Sequence, residues 1–173
     1  MRIVNANRGR CAARRRPAHA PRAGLISQRR TRSATIRPMA LDSRLTPGLK
    51  GSAELVVAAE HTAPHVGSGR VPVLATPVVI NLLEAAALVA VEHLLPAGYQ
   101  SLGTELDVRH FAATPVGMRV SAEAELVAVA DRTLKFRVSA RDEREPISDG
   151  THERVVVNVA RFDRRMETKA RGG

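Results

Sequence analysis

Residues 71–93 read VPVLATPVVINLLEAAALVAVEH, an apolar run interrupted by one threonine before a proline, one asparagine and one glutamate. Thr76 followed by Pro77 has the form of an N-cap with proline at the first helical position, which predicts a helix starting there. Ala- and Leu-rich sequence carries it to about His93, and LPAG ends it near Pro96. The helix-surface neighbours of Glu84 at three and four residues are Ile80, Asn81, Ala87 and Leu88, and at seven they are Pro77 and Val91; none is basic. An unpaired buried carboxylate is costly, so Glu84 is solvated, paired from elsewhere in the chain, or engaged in chemistry.

Residues 71–91 are nearly long enough to span a bilayer. The central glutamate argues against a span, and so does the sequence around it, which supplies amphipathic strands that need a helix to cover them. GSAELVVAAEH (51–61) is strand-like and leads into a Pro/Gly-punctuated loop at 62–72. Beyond the helix, TELDVRHF (104–111) puts Leu106, Val108 and His110 on one face and Glu105, Asp107 and Arg109 on the other. MRVSAEAELVAVA (118–130) and TLKFRVSARD (133–142) alternate in the same way about a tight turn at Asp131 and Arg132, and a last strand is expected over THERVVVNVARF (151–162). The order is strand, long helix, four strands, an α+β layout in which an antiparallel sheet lies against one apolar helix. The tail METKARGG (166–173) reads as polar and frayed.

The chain has 173 residues, enough for one domain with a core, and a net charge of +10 that would suggest a nucleic-acid or acidic-membrane partner. The distribution of charge removes that inference. Residues 1–41 hold eleven arginines and no acid, whereas the body from 42 onward carries 16 basic against 17 acidic side chains. The leader is Arg-rich and Ser-containing without an apolar core, as in an organellar transit peptide; a start assigned too far upstream, with Met39 opening MALDSRLTPG, is the other reading. The domain is therefore expected at 42–165. The one cysteine, Cys11, lies in the leader, and the body offers no thiolate ligand or nucleophile. A reducing compartment fits, the cytoplasm or, with a working transit peptide, an organellar matrix. Four aromatic residues, Tyr99, Phe111, Phe136 and Phe162, are too few for a base-stacking platform, so neither nucleic acid nor membrane is expected as a partner.

His110 is the one histidine on the inward face of a well-patterned strand. Together with Thr76 at a helix start and Glu84 two turns on, it could line a cleft in which free backbone N–H groups meet a developing oxyanion. Eight residues place Glu84 about 12 Å along the axis from Thr76, so the two would flank a substrate. His61 and His65 have zinc-like spacing, but Pro64 argues against a helix there, and no metal or other cofactor is expected. His152 and Glu153 read as flanking a strand start.

The segments ATPVVINLLE, SLGTELDVRHFAATPVG and SDGTHERVVVNVARF resemble the fluoroacetyl-CoA thioesterase and its relatives over about residues 45–165. The resemblance implies a hotdog fold, in which a sheet wraps one long helix, and a homodimer with its site at the subunit interface. It implies Thr76, Glu84 and His110 as the catalytic set, with Gly103 of SLGT and Arg154 of GTHER at substrate-contacting positions. The implied reaction is hydrolysis of an acyl-CoA substrate to carboxylate and CoA, with Glu84 as nucleophile or base, His110 as general acid/base and Thr76 as hydrogen-bond support. The family's lid phenylalanines have no counterpart in residues 62–75, which points to a broader short-chain acyl-CoA thioesterase. A hotdog protein that binds an acyl-CoA or acyl-carrier thioester without hydrolysing it is the alternative.

Overall fold

A computed structural model describes residues 41–172. The Arg-rich leader, apart from residue 41, lies outside the described residues. Five strands, β1 (Lys50–Val56), β2 (Tyr99–His110), β3 (Arg119–Ala130), β4 (Thr133–Asp142) and β5 (Pro146–Asn158), form one antiparallel sheet in the order β1-β3-β4-β5-β2. A one-turn helix α1 (Ala63–Val66) precedes the long helix α2 (Thr76–Val91), and α3 (Val159–Ala170) closes the chain.

Helix α2 buries Val79, Leu82, Leu83, Ala86, Ala87 and Ala90, an i, i+3, i+4 stripe, against the sheet, while Val89 on the other side stays 57% exposed. Facing that stripe are Val120, Ala122, Ala124 and Leu126 of β3 and Leu134, Phe136, Val138 and Ala140 of β4, the sets that strand alternation predicts. This is the hotdog arrangement. The helix has the length and composition to cross a membrane, but nearly half of it is buried within the fold. Contact is closest at Gly51, where a Cβ would overlap the backbone of Ala86 and Ala90. On the sheet's outer face, cross-strand pairs such as Lys135 with Glu153 (2.8 Å) and Arg109 with Asp149 (2.9 Å) satisfy the polar half of the alternation.

Four local expectations are corrected. The last strand ends at Asn158 rather than at 162, because the Asn158 side chain accepts from the Arg161 N–H (3.1 Å) and caps α3. Residues 159–170 then place Val159, Phe162 and Met166 on one half-buried helical stripe, so the polar tail continues a helix. At the start of α2 the cap residue is Ala75, with Thr76 and Pro77 in the first turn, which leaves the threonine hydroxyl free for other work. Within the loop at 62–72, α1 forms despite Pro64, since proline is tolerated in a first turn. His61 lies before α1, and its Nδ1 accepts from the Ala58 N–H at 3.0 Å.

Strand β2 is an edge strand with a bulge that the sequence alternation does not reveal. Gly103 pairs with Arg154 and Glu105 with Glu153, leaving Thr104 as an extra residue. Before the bulge the odd positions face the helix, Ser101 buried and Gly103 against Glu84; after it the even positions do so, with Val108 packed on the core. The bulge is what lets Gly103 and His110 serve the same side of the sheet.

Candidate active site

Two polar groups lie along α2. At its N-terminus Thr76 Oγ1 is 2.9 Å from His110 Nδ1. The two residues are 34 apart in sequence, and backbone bonds draw them together: the Leu74 N–H donates to the Thr114 carbonyl (2.9 Å), and Val73 bridges to Pro115. Thr114 is buried and donates to Asp142 Oδ2 (3.0 Å), while Asp142 Oδ1 accepts from the N–H groups of Arg144 and Glu145. One carboxylate thus closes the β4–β5 turn and pins the loop that follows His110. Burial works to raise the Asp142 pKa, but these donors outweigh it and hold the carboxyl below its ordinary value.

His110 Nε2 is buried and has no hydrogen-bond partner among the described residues. Burial pushes the imidazole below its ordinary pKa, so it is neutral at pH 7. Beside it lies a cleft of about 310 Å³ walled mainly by Val73, Leu74, Ala75, Phe111 and Ala112, with Thr76 and Ser68 as its hydroxyls. That is room for a short acyl group in apolar surroundings with one imidazole nitrogen free for a proton.

Glu84 sits about 12 Å further along the helix axis. Its Oε1 is 3.5 Å from Arg154 Nη1 and 3.7 Å from His152 Nε2, and the side chain keeps 36% of its surface exposed. These are the partners that the helix itself could not supply. A Cβ on Gly103 would fall on Glu84 Oε1, so the glycine clears space for the carboxylate against β2. Arg154 is buried; its Nε donates to Ser101 Oγ (2.9 Å) and its Nη2 to the Ser101 carbonyl (2.9 Å). Burial lowers the pKa of Arg154, against the pull of Glu84 and Glu92. Ser101 is held in turn by Glu92, to which it donates from Oγ (2.8 Å) and from its N–H (3.1 Å).

The family of fluoroacetyl-CoA-specific thioesterases, FlK, matches residues 57–160. The chain belongs to that family. Among its relatives, the fluoroacetyl-CoA thioesterase of Streptantibioticus cattleyicolor is 42% identical over 101 residues, covering 58% of this chain and 73% of that one. A solved structure of the fluoroacetyl-CoA thioesterase FlK superposes with a TM-score of 0.69 at 35% identity, over 72% of this chain and 97% of the other. A Thermus thermophilus hypothetical protein of the thioesterase superfamily superposes with a TM-score of 0.68 at 27% identity, over 74% and 97%.

For this member of the FlK family, the structure brings Thr76 to His110 and brings Glu84 to Gly103 and Arg154. Among the described residues it pairs Glu84 with β5, not with His110. Sequence reasoning missed His152, which is fully buried beside Arg154 rather than flanking a strand. Its signal was the alternation of THERVVV, in which His152, Arg154 and Val156 share a face.

Proposed function

We propose that this chain hydrolyses short acyl-CoA thioesters and does so as a homodimer. The observation that carries the reading is Glu84: the one charged side chain on helix α2, reached by a buried arginine and given room by a glycine on the facing strand. Glu84 delivers the attacking oxygen, its own or that of a water it deprotonates, to the thioester carbonyl. The carbonyl–sulfur bond breaks, CoA leaves as the thiol, and water supplies the remaining oxygen of the carboxylate product. His110, neutral and hydrogen-bonded to Thr76, carries the proton through its free Nε2.

Within one chain, Glu84 and the Thr76–His110 pair stand too far apart to meet at a single carbonyl carbon. A second copy supplies the missing half. Apolar side chains left exposed on β2 (Leu102, Leu106), on α2 (Val89) and beside the cleft (Phe111, Val116) favour that partner. No phenylalanine stands in residues 62–75, so the acyl range is expected to extend beyond the fluoroacetyl group.

The test is CoA release by the full chain from acetyl-, fluoroacetyl-, propionyl-, butyryl- and longer acyl-CoAs, with Glu84→Gln alongside and sedimentation for the dimer. Hydrolysis by the wild type and its loss in a dimeric Glu84→Gln protein is the expected result. A Glu84→Gln protein that turns over like wild type removes Glu84 from the chemistry.

A further inference from the structure

His152 Nδ1 lies 2.9 Å from the Glu105 carbonyl oxygen, which can only accept, so Nδ1 carries a proton. His152 Nε2 lies 3.1 Å from Arg154 Nη1, and a guanidinium can only donate, so Nε2 presents its lone pair. The two contacts fix a single state, the neutral imidazole protonated on Nδ1. Burial lowers the ring's pKa and so favours the same state, with the adjacent Arg154 acting in the same sense and the Glu105 carbonyl and Glu84 opposing. The ring is fully buried and stacks on Phe136 of β4 with centroids 6.2 Å apart.

Arg154 is thereby held on every side: Nε and Nη2 by Ser101, Nη1 by His152, and Nη1 also reaching toward Glu84. We propose that His152 is a positioning residue which, by accepting from Nη1, aims the guanidinium at Glu84 and so fixes the orientation of the carboxylate for attack on the thioester. The inference rests on the thioesterase reading of Glu84.

A histidine that served only to fill the core would need its own two nitrogens satisfied; this one uses its acceptor on the arginine that touches the candidate catalytic carboxylate. The charged groups facing the ring are Arg154 from its own strand and Glu84 from α2, while β2 presents a carbonyl and β4 a phenyl ring. Protonation of Nε2 would set an N–H against the Nη1 N–H and bring a second donor to Oε1 of Glu84, 3.7 Å away. Arg154 would then lose the acceptor that aims it.

The experiment measures CoA release by the full chain carrying His152→Leu, which removes the acceptor, or His152→Gln, which offers an oxygen near the position of Nε2. His152→Leu is expected to lower kcat by about 30-fold with KM changed by less than about 3-fold, while His152→Gln stays within about 5-fold of wild-type kcat. In an Arg154→Met background, His152→Leu is expected to add no further loss. Nitrogen-15 NMR of the wild type at about pH 7 to pH 8 should show Nδ1 protonated and Nε2 bare.

A folded His152→Leu protein with wild-type kcat overturns the proposal, as does a loss that adds in full to that of Arg154→Met. If His152→Leu fails to fold, an Nε2-protonated ring, or a folded His152→Gln protein as impaired as Arg154→Met, overturns it. A wild type that releases CoA from no substrate, with His152 in the expected tautomer, instead sinks the thioesterase reading.

Discussion

Gly103→Ala separates what the site needs from what the fold needs. The added methyl would fall well inside contact distance of Glu84 Oε1 and 3.1 Å from Cε1 of His152. The imidazole is stacked and hydrogen-bonded on both nitrogens, so it cannot move away. Glu84 can, because it has 36% of its side chain in solvent and its nearest cation is 3.5 Å distant. Restoring an ordinary contact of about 3.5 Å requires the carboxylate to retreat by about 1 Å. Gly103 does not have a positive φ, so alanine adds no backbone strain. The fold should lose about 0.5 kcal/mol, a fall of about 2 °C in the melting midpoint. A carboxylate misplaced by about 1 Å from its attack position should lower kcat by about 100-fold, equivalent to about 2.7 kcal/mol. The assay pairs steady-state CoA release at saturating acyl-CoA with a thermal melt of the same preparation. A Gly103→Ala protein with wild-type kcat would show that the observed position of Glu84 is not the one that reacts. A melting midpoint lowered by about 10 °C would show instead that Gly103 serves packing first.

Other perturbations follow from the same contacts. Gly51→Ala drives a methyl into the backbone of Ala86 and Ala90, which cannot yield as a side chain can; a loss of about 3 kcal/mol is expected by denaturant titration. Thr76→Val should leave the melting midpoint unchanged, since Ala75 is the cap residue, yet lower kcat by about 10-fold or more because His110 Nδ1 loses its partner, with Thr76→Ser restoring activity. Asp142→Asn should cost about 1–3 kcal/mol at pH 7. The depressed pKa of Asp142 means that its stabilisation is present above the unfolded value of about 3.9 and is lost as pH falls through the folded value, so in acid melts the gap between wild type and variant should begin to close only below about pH 4. The imidazole of His110 has its pKa lowered by burial and works in the neutral form, so kcat/KM should hold steady down to about pH 6.5 and fall only below it.

What the sequence made legible was whatever depends on periodicity within one element. The helix at 76–91 declares itself by its Thr76–Pro77 start and the Ala- and Leu-rich run that LPAG ends, and β3 up to Leu126 and β4 by alternation, because burying one face of a strand constrains every second residue. At the chain's end, Asn158 capping an amphipathic stretch signals a helix, but Val155, Val156 and Val157 just before it extend the strand pattern and mask that signal. Thr76 and Glu84 were visible as polar exceptions in an apolar run. His110 was visible too, as an inward strand histidine, but that it pairs with Thr76 while Glu84 pairs with Arg154 was not, because a partner is fixed by register between strands and not by spacing along one.

The bulge at Thr104 shows the physical reason. Read as a single alternation, β2 would put His110 on one face and Ser101 and Gly103 on the other, and nothing in YQSLGTELDVRH marks the extra residue except the glycine beside it. With the shift in place, Ser101 meets Arg154, Gly103 makes room for Glu84, and His110 still reaches Thr76. His152 and Arg154 then face α2 from the paired strand, so the carboxylate that lacked any cation on its own helix finds one across the sheet. The unpaired glutamate in an apolar helix thus called for a cation elsewhere in the chain, and one inserted residue in an edge strand decides what surrounds that cation.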